Sequence, residues 1–321
     1  MTFVYLDQAP WINLRERDED DETRQLIEQQ AQSGDITIQL LQTLFAETGK
    51  HRNKSVREHH IEYLFDVSRG HVLRNFQDVK HIEKRNYAQR FLGYEFNLAE
   101  EVRGKGAADM YGNPKLEIDG EDVLKSDSFD KETKREFREL LQSRKGFSLL
   151  ADESFSEMVK EHHQRREEEL VEIIEDTRGQ MDDRFEDNSR RRRVETHSYF
   201  ANYVLPDVIS SVVNSGGWIS FQKFDFEKYV QQGDEEVEQL FRCFPATYCY
   251  LTLSTRRDTE KSREAKPNDI YDIFSLAVAI PYSDIVVTEG LWVTQAKRAG
   301  LGEIFDTELL TSIDELADVL S

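Results

Sequence analysis

Two cysteines, Cys243 and Cys249, are all that 321 residues contain. That count excludes a disulfide-framed fold and a cysteine-rich zinc site, and both side chains read as ordinary buried thiols. Long apolar runs are missing too: no segment approaches the ~18 residues that a membrane span requires. The N-terminus enters MTFVYLDQAPW without a basic flank or a small-residue cleavage site, so a soluble cytoplasmic protein is expected. Also absent are a Gly-rich phosphate loop, a G-x-S-x-G elbow, a Cys–His nucleophile pattern and a repeat of fixed period. Positive charge is scarce, with 42 Lys and Arg against 63 Asp and Glu and a net charge of -21. Such an excess speaks against a nucleic-acid coat protein, whose affinity comes from cations that neutralise phosphate. It does not exclude a nuclease, because bound divalent cations reverse the field of an acidic cleft.

What is present is an apolar content of 38%, enough to bury a core, distributed unevenly along the chain. FVYL at 3–6 is rich in β-formers and is stopped by Asp7 and by the Ala9–Pro10 pair, which predicts a first strand with an acid at its C-terminal end. The stretch from Trp11 to Gly34 reads as one polar helix, DITIQ as a short strand, and LLQTLFAETGKHRNKSVREHHIEYLFDVSRG as helical. Within that last stretch Leu40, Leu44 and Glu47 fall on one face at helical spacing, so an acid lies beside a buried stripe. Residues 83–214 change character and predict charged helices with sparse apolar stripes, among them DKETKREFRELLQSRKG, around a Gly- and Asp-bearing loop. The C-terminal third returns to globular composition: DIVVT reads as a buried strand, LWVTQAKRAGLG as a helix with a Gly stop, TELLTS as a last strand and SIDELADVL as a terminal helix. The expectation is an α/β fold with one parallel sheet layer flanked by helices and interrupted by a mostly helical insertion. Its parts are 1–82, 83–214 and 215–321.

Ligands of an open parallel sheet collect beyond the C-terminal ends of its strands. Asp7 follows FVYL and Glu289 follows DIVVT, which puts both at that edge. Asp272 opens the helix before DIVVT, Asp269 lies one turn earlier, and Glu47 sits on the helix after DITIQ. Hard cations such as Mg²⁺ and Mn²⁺ prefer carboxylate oxygens, and three or four clustered acids do not stay ionised together without one. Each acid also has a plainer reading. Asp7, Asp269 and Asp272 suit helix N-caps, and Glu47 and Glu289 suit solvated surface positions.

The pair of stretches VYLDQAPWINL and DIYDIFSLAVAIPYSDIVVTE resembles the first and last motifs of the PIN-like nuclease superfamily. The helix bearing Glu47 resembles its second motif. The resemblance covers roughly residues 1–80 and 240–321 and leaves out the insertion. Glu289 directly follows Thr288, where the family commonly carries an Asp one residue later. The resemblance implies hydrolysis of phosphodiesters assisted by one or two Mg²⁺ or Mn²⁺ ions. Asp7 and Asp272 would be the principal ligands, Glu47 and Glu289 would complete or orient the shell, Asp269 would support it, and Thr288 would hold a carboxylate or a water. It also implies an RNA substrate in preference to DNA, and an endoribonuclease of toxin or defence-effector type. The insertion would then bind a protein partner or a second copy of the chain.

Lys50, His51, Arg52 and Lys54 follow Glu47 and are placed to meet a substrate backbone, with Lys50, Arg52 and Lys54 as phosphate contacts. The run Arg190–Arg193 either grips phosphates or pairs with Glu186, Asp187 and Glu195. His59–His60 and His162–His163 are adjacent pairs whose members point about 100° apart on a helix, so surface histidines are expected and not a metal site. Trp11 is expected to pack at the first helix. Two rival classes stand beside the nuclease: a non-catalytic interaction module whose acids are remnants, and a metal-dependent phosphatase acting on small substrates.

Overall fold

Four short strands, two from each end of the chain, meet in one all-parallel sheet in the order Ile36–Gln39, Thr2–Leu6, Ile285–Val287, Glu308–Leu310. The computed structural model describes residues 1–90, 93–94, 96–112, 117–118, 121–122, 130–152, 206, 242–260, 266 and 268–321. The Arg190–Arg193 run, His162 and His163 lie outside them. The chain divides into two units. The first takes in Met1–Asn75, residues 103–152 and Tyr282–Ser321, and the second takes in residues 76–102 and 242–281. The composition change had placed the switch between 82 and 83. A continuous helix, α5 (Phe76–Arg90), spans that point, and the second unit begins with it.

In the first unit β1 (Thr2–Leu6) is central. It pairs with β2 (Ile36–Gln39) from Thr2↔Ile36 to Tyr5↔Gln39 and with β7 (Ile285–Val287) from Val4↔Ile285 to Leu6↔Val287. Asp284 sets the second register. Its N–H donates to the Phe3 carbonyl at 2.8 Å, and its Oδ2 accepts the Phe3 N–H at 2.7 Å. The outer strand β8 (Glu308–Leu310) runs along β7. Beyond β2, Leu40 makes a single parallel bridge to Val72 of β3 (His71–Leu73), which pairs antiparallel with β4 (Arg103–Lys105). A two-residue pair, β5 (Glu117–Ile118) with β6 (Glu121–Asp122), stands apart.

Strand residues alternate between faces. Val4, Leu6, Ile36, Ile38, Ile285, Val287 and Leu310 join one apolar cluster. Its helical side comes from α1 (Gln8–Glu16), α2 (Glu22–Ser33), α3 (Gln42–Gly49), α4 (Lys54–Ser68) and the C-terminal helix α14 (Ile313–Leu320). Each fully buried Leu or Ile of this kind contributes about 1.5–3 kcal/mol. Trp11 lies in this cluster with no exposed surface and meets Tyr63 edge-on at 6.2 Å, as expected for packing at the first helix. The opposite face carries Tyr5, Thr37, Gln39, Val286 and Leu309, all buried.

The single polar helix expected from Trp11 to Gly34 is two helices. Arg17 leaves the helical region at ψ 151°, and Asp21 restarts the chain by accepting the Arg24 N–H at 3.0 Å. Five acids in Asp18–Glu22 repel one another within one continuous helix; as a turn they separate and one becomes a cap. Gly34, at φ 85°, ends α2 in the left-handed region that suits glycine. The helical stretch after β2 is likewise broken, by Asn53 capping α4 through the Ser55 N–H. Leu40 belongs to the sheet edge and not to the helix that carries Glu47.

The loop expected after residue 103 contains β4 and α7 (Gly106–Met110). The charged helix that follows is α8 (Lys131–Gln142), capped by Asp130 and continued by α9 (Arg144–Ser148). Short helices α12 (Gly290–Arg298) and α13 (Leu301–Phe305) connect β7 to β8.

The second unit is helical where described: α5, α6 (Leu98–Val102), α10 (Pro245–Thr259) and α11 (Asn268–Tyr282), the last residue of α11 opening the next stretch of the first unit. Glu83, with no exposed surface, accepts the Ala246 N–H at 2.6 Å, the Thr247 N–H at 3.4 Å and the Thr247 hydroxyl at 3.2 Å. It thereby supplies acceptors for donors that the first turn of α10 leaves without intrahelical partners. Cys249 is buried and its thiol is pushed well up by burial and by Glu83, whereas Cys243 is only half-buried.

Candidate active site

β1 ends at Leu6 and β7 at Val287, so the next residues of each, Asp7 and the Thr288–Glu289 pair, emerge side by side at the C-terminal edge of the sheet. The Asp7 N–H extends the ladder to the Val287 carbonyl at 2.9 Å, and the Thr288 N–H does the same to the Leu310 carbonyl at 3.1 Å. The backbone of both residues is therefore held by the sheet.

The Asp7 carboxylate has defined partners. Oδ2 accepts the Thr288 hydroxyl at 2.7 Å, Oδ1 accepts the Gln8 N–H at 2.9 Å, and the Tyr5 hydroxyl reaches Oδ1 at 3.5 Å. Asp7 is thus both the N-cap of α1 and a member of an acidic group. The plain reading and the functional one apply to the same side chain. Tyr5 was not singled out in the sequence, although its signal was present: two residues before Asp7, it shares a face of β1 with it at period two.

Glu47 comes from α3, where Leu44, Phe45, Ala46, Thr48 and Gly49 are buried and Glu47 is half-buried. Its carboxyl is raised to about 7, first by burial, then by the charge of Asp7 and more weakly by Glu289, with Lys50 opposing. Burial also raises Asp7. The Thr288 and Gln8 hydrogen bonds counter that shift, and Glu289 adds to it. The exposed Glu289 is the N-cap residue of α12 and makes no side-chain cap bond. Asp7, Glu47 and Glu289 therefore repel one another from three separate elements, which an acidic group tolerates by binding a proton or a cation.

The donor chemistry fits a hard divalent cation, since all three side chains are carboxylates. Their placement is looser than a formed metal site: among the described residues, no group of three or more His, Cys, Asp or Glu side chains is positioned to hold a metal ion.

Asp269 and Asp272 lie on the first two turns of α11, in the second unit. Asp269 is buried and engaged locally: its Oδ2 accepts the Lys266 N–H at 3.0 Å, and its own N–H donates to the Lys266 carbonyl at 3.0 Å. The side chain thus reaches back from the first turn of α11 to Lys266 and does not accept an N–H of the helix, as the N-cap expected of it would. Asp272 is half-buried.

Of the basic residues after Glu47, Lys50 is half-buried and acts on Glu47 electrostatically. Arg52 is exposed, and Lys54 pairs with Glu58 at 3.7 Å on the surface of α4. His59 is exposed as expected, but His60 is not: it is 3% exposed, and neither ring nitrogen has a hydrogen-bond partner among the described residues. It occupies a position of the α4 stripe that also contains Ile61 and Leu64, where helical period outweighs polarity. Burial, reinforced by Arg15, lowers it to about 4.

No helix among the described residues is long and apolar enough to cross a membrane. Comparison of the chain with protein-family models, with curated proteins and with solved structures finds no match in any of the three.

Proposed function

We propose that the chain is a metal-dependent nuclease whose centre is the acidic group of the first unit. The observation that carries this reading is the raising of Glu47 by burial and by the charge of Asp7, with both carboxyls also raised by Glu289, at the strand ends where ligands of parallel sheets bind. Asp7 and Glu47 would hold Mg²⁺ or Mn²⁺, with Glu289 completing or orienting the shell. The bound ion would activate water and stabilise charge on the oxygens of the scissile phosphodiester.

The chain's own groups have separate tasks in this reading. Thr288 fixes the rotamer of Asp7 and leaves Oδ1 to the α1 N-terminus. Glu47, raised to about 7, would give up its proton on binding a cation. Lys50, Arg52 and Lys54 would contact the phosphates of the substrate. RNA is the proposed substrate, and a toxin or defence effector the proposed type, both by the resemblance to PIN-like nucleases alone. The same resemblance assigns Asp272 a ligand role, on which nothing in this proposal depends.

The lack of a formed three-donor group among the described residues favours a second reading, an interaction module built on the same scaffold. One experiment separates the two: cleavage of labelled single-stranded RNA and DNA by the purified chain with Mg²⁺ or Mn²⁺, beside EDTA and the Asp7→Asn variant. Cleavage that is lost in both controls supports the nuclease. Absence of cleavage with either metal, for a protein shown to be folded, sinks it.

A further inference from the structure

The loop 50–53 joins α3 to α4 shortly after Glu47, and one buried side chain governs its backbone. Arg57 is 3% exposed. Its Nη1 donates to the His51 carbonyl at 2.8 Å and to the Arg52 carbonyl at 3.3 Å, and its main-chain N–H donates to the Asn53 carbonyl at 3.2 Å. Three consecutive carbonyls of the loop thus accept from a single residue. A buried guanidinium loses its hydration and needs such acceptors in return. Their engagement also ties up lone pairs that would repel an anion approaching the loop.

The groups left over are donors. The ring of the exposed His51 accepts the Asn53 N–H at Nδ1, at 3.2 Å. That bond uses the lone pair of Nδ1 and so puts the proton of the neutral imidazole on Nε2. The Nε2–H has no hydrogen-bond partner among the described residues. Arg52 is exposed, and neither its main-chain N–H nor its guanidinium has a partner among them. Lys50 adds a cation that acts on Glu47, whereas Lys54 is engaged with Glu58. In a chain of net charge -21, unpaired donors of three kinds on one fastened loop match an oxyanion with several acceptor oxygens.

We propose that loop 50–53 is a phosphate cradle, in which the His51 Nε2–H and the Arg52 N–H and guanidinium bind one backbone phosphate of an RNA substrate, with Arg57 as the positioning residue that holds the loop carbonyls away from it. The ligand class rests on the nuclease reading: the phosphate belongs to the strand whose scissile bond lies at Asp7 and Glu47. The cradle supplies the grip that an all-carboxylate centre lacks, and it contacts no base, so it binds without regard to sequence.

The test uses the full chain and two readouts that need no catalysis. Long-range ¹H–¹⁵N NMR of histidine-labelled protein reports which nitrogen of the neutral His51 ring carries the proton. Fluorescence anisotropy in EDTA follows a labelled single-stranded RNA of about twelve nucleotides. The parent is compared with His51→Ala, Arg52→Ala, Arg57→Met and Arg57→Lys, beside Arg138→Ala on exposed α8. The expected ring proton is on Nε2, a preference lost in Arg57→Met and kept in Arg57→Lys. RNA affinity should fall about fivefold or more in His51→Ala, Arg52→Ala and Arg57→Met, recover in part in Arg57→Lys, and stay unchanged in Arg138→Ala. A proton on Nδ1, parent affinity in His51→Ala, an equal fall in Arg138→Ala, or no RNA binding by the parent each overturns the proposal. RNA held through the loop but never cut with Mg²⁺ or Mn²⁺ sinks the nuclease reading alone, and RNA cut by a His51→Ala protein of parent affinity sinks the cradle alone. Thermal melts confirm that each variant is folded, and if Arg57→Met is not, the exposed His51 and Arg52 positions decide.

Discussion

The hydroxyl of Thr288 donates to Oδ2 of Asp7 at 2.7 Å, joining residues 281 positions apart at the ends of two adjacent parallel strands. This bond stabilises the ionised carboxylate against the burial and the Glu289 charge that oppose it. Replacing Thr288 with Val should raise the Asp7 pKa further and cost about 1.5–3 kcal/mol of stability, the range for a hydrogen bond to a charged group. Thr288→Ser should restore both. Carboxyl NMR titration of Asp7 in the three proteins is the check, and an unchanged Asp7 titration in the Val variant would contradict the assignment.

Glu47 makes stability depend on pH in a defined direction. Its native pKa is about 7 against a reference of 4.5, so between these values the native state holds a proton that the unfolded state has lost. Stability from this group therefore falls as pH rises through that window, by at most about 3 kcal/mol. Urea denaturation of Glu47→Gln should show a gain over the parent at pH 8 that shrinks toward pH 5. A gain of equal size at both pH values would mean that the carboxyl is not perturbed.

His60 acts with the opposite sign. Buried and neutral, it has a native pKa of about 4 against 6.5, so the unfolded state binds the extra proton between those values. Stability falls as pH drops through the window, again by at most about 3 kcal/mol. His60→Leu should flatten the acid limb of the stability profile while leaving pH 8 within about 1 kcal/mol of the parent, given similar side-chain volume. Persistence of the full acid limb in that variant would assign it to other groups.

Glu83 predicts a local failure in the second unit. Its carboxylate accepts two backbone N–H groups and a hydroxyl at the start of α10. Glu83→Ala leaves these donors buried without their partner and should cost about 2–4 kcal/mol; Glu83→Gln, which keeps one acceptor oxygen, should cost less. Hydrogen exchange at Ala246 and Thr247 would report the loss directly. Unchanged protection there in the Ala variant would refute the capping role.

Much of the sheet was legible because its strands obey local rules. FVYL, DITIQ, DIVVT and TELLTS are short β-rich runs bounded by breakers, and all four form strands of one parallel sheet. The Gly34 stop and the terminal helix were equally local. β3 and β4 escaped notice because three-residue strands carry too little alternation to be recognised, and their pairing joins segments about thirty residues apart. The break between α1 and α2 was hidden because a run of acids is compatible with helix by propensity and is excluded only by the charges it brings together.

For the site, the sequence alone determined which acids stand at strand ends: an apolar β-run followed by Asp7, and another followed by Thr288 and Glu289. Tertiary structure alone decided that these acids and Glu47 share a field, that Thr288 holds Asp7, that Asp269 is engaged by Lys266, and that His60 is buried with no hydrogen-bond partner among the described residues. The reason is range. Strand ends and caps are set by the few residues around them, whereas a charge–charge shift and a hydrogen bond between positions 7 and 288 exist only once the parallel register of β1 and β7 has brought the two ends of the chain together.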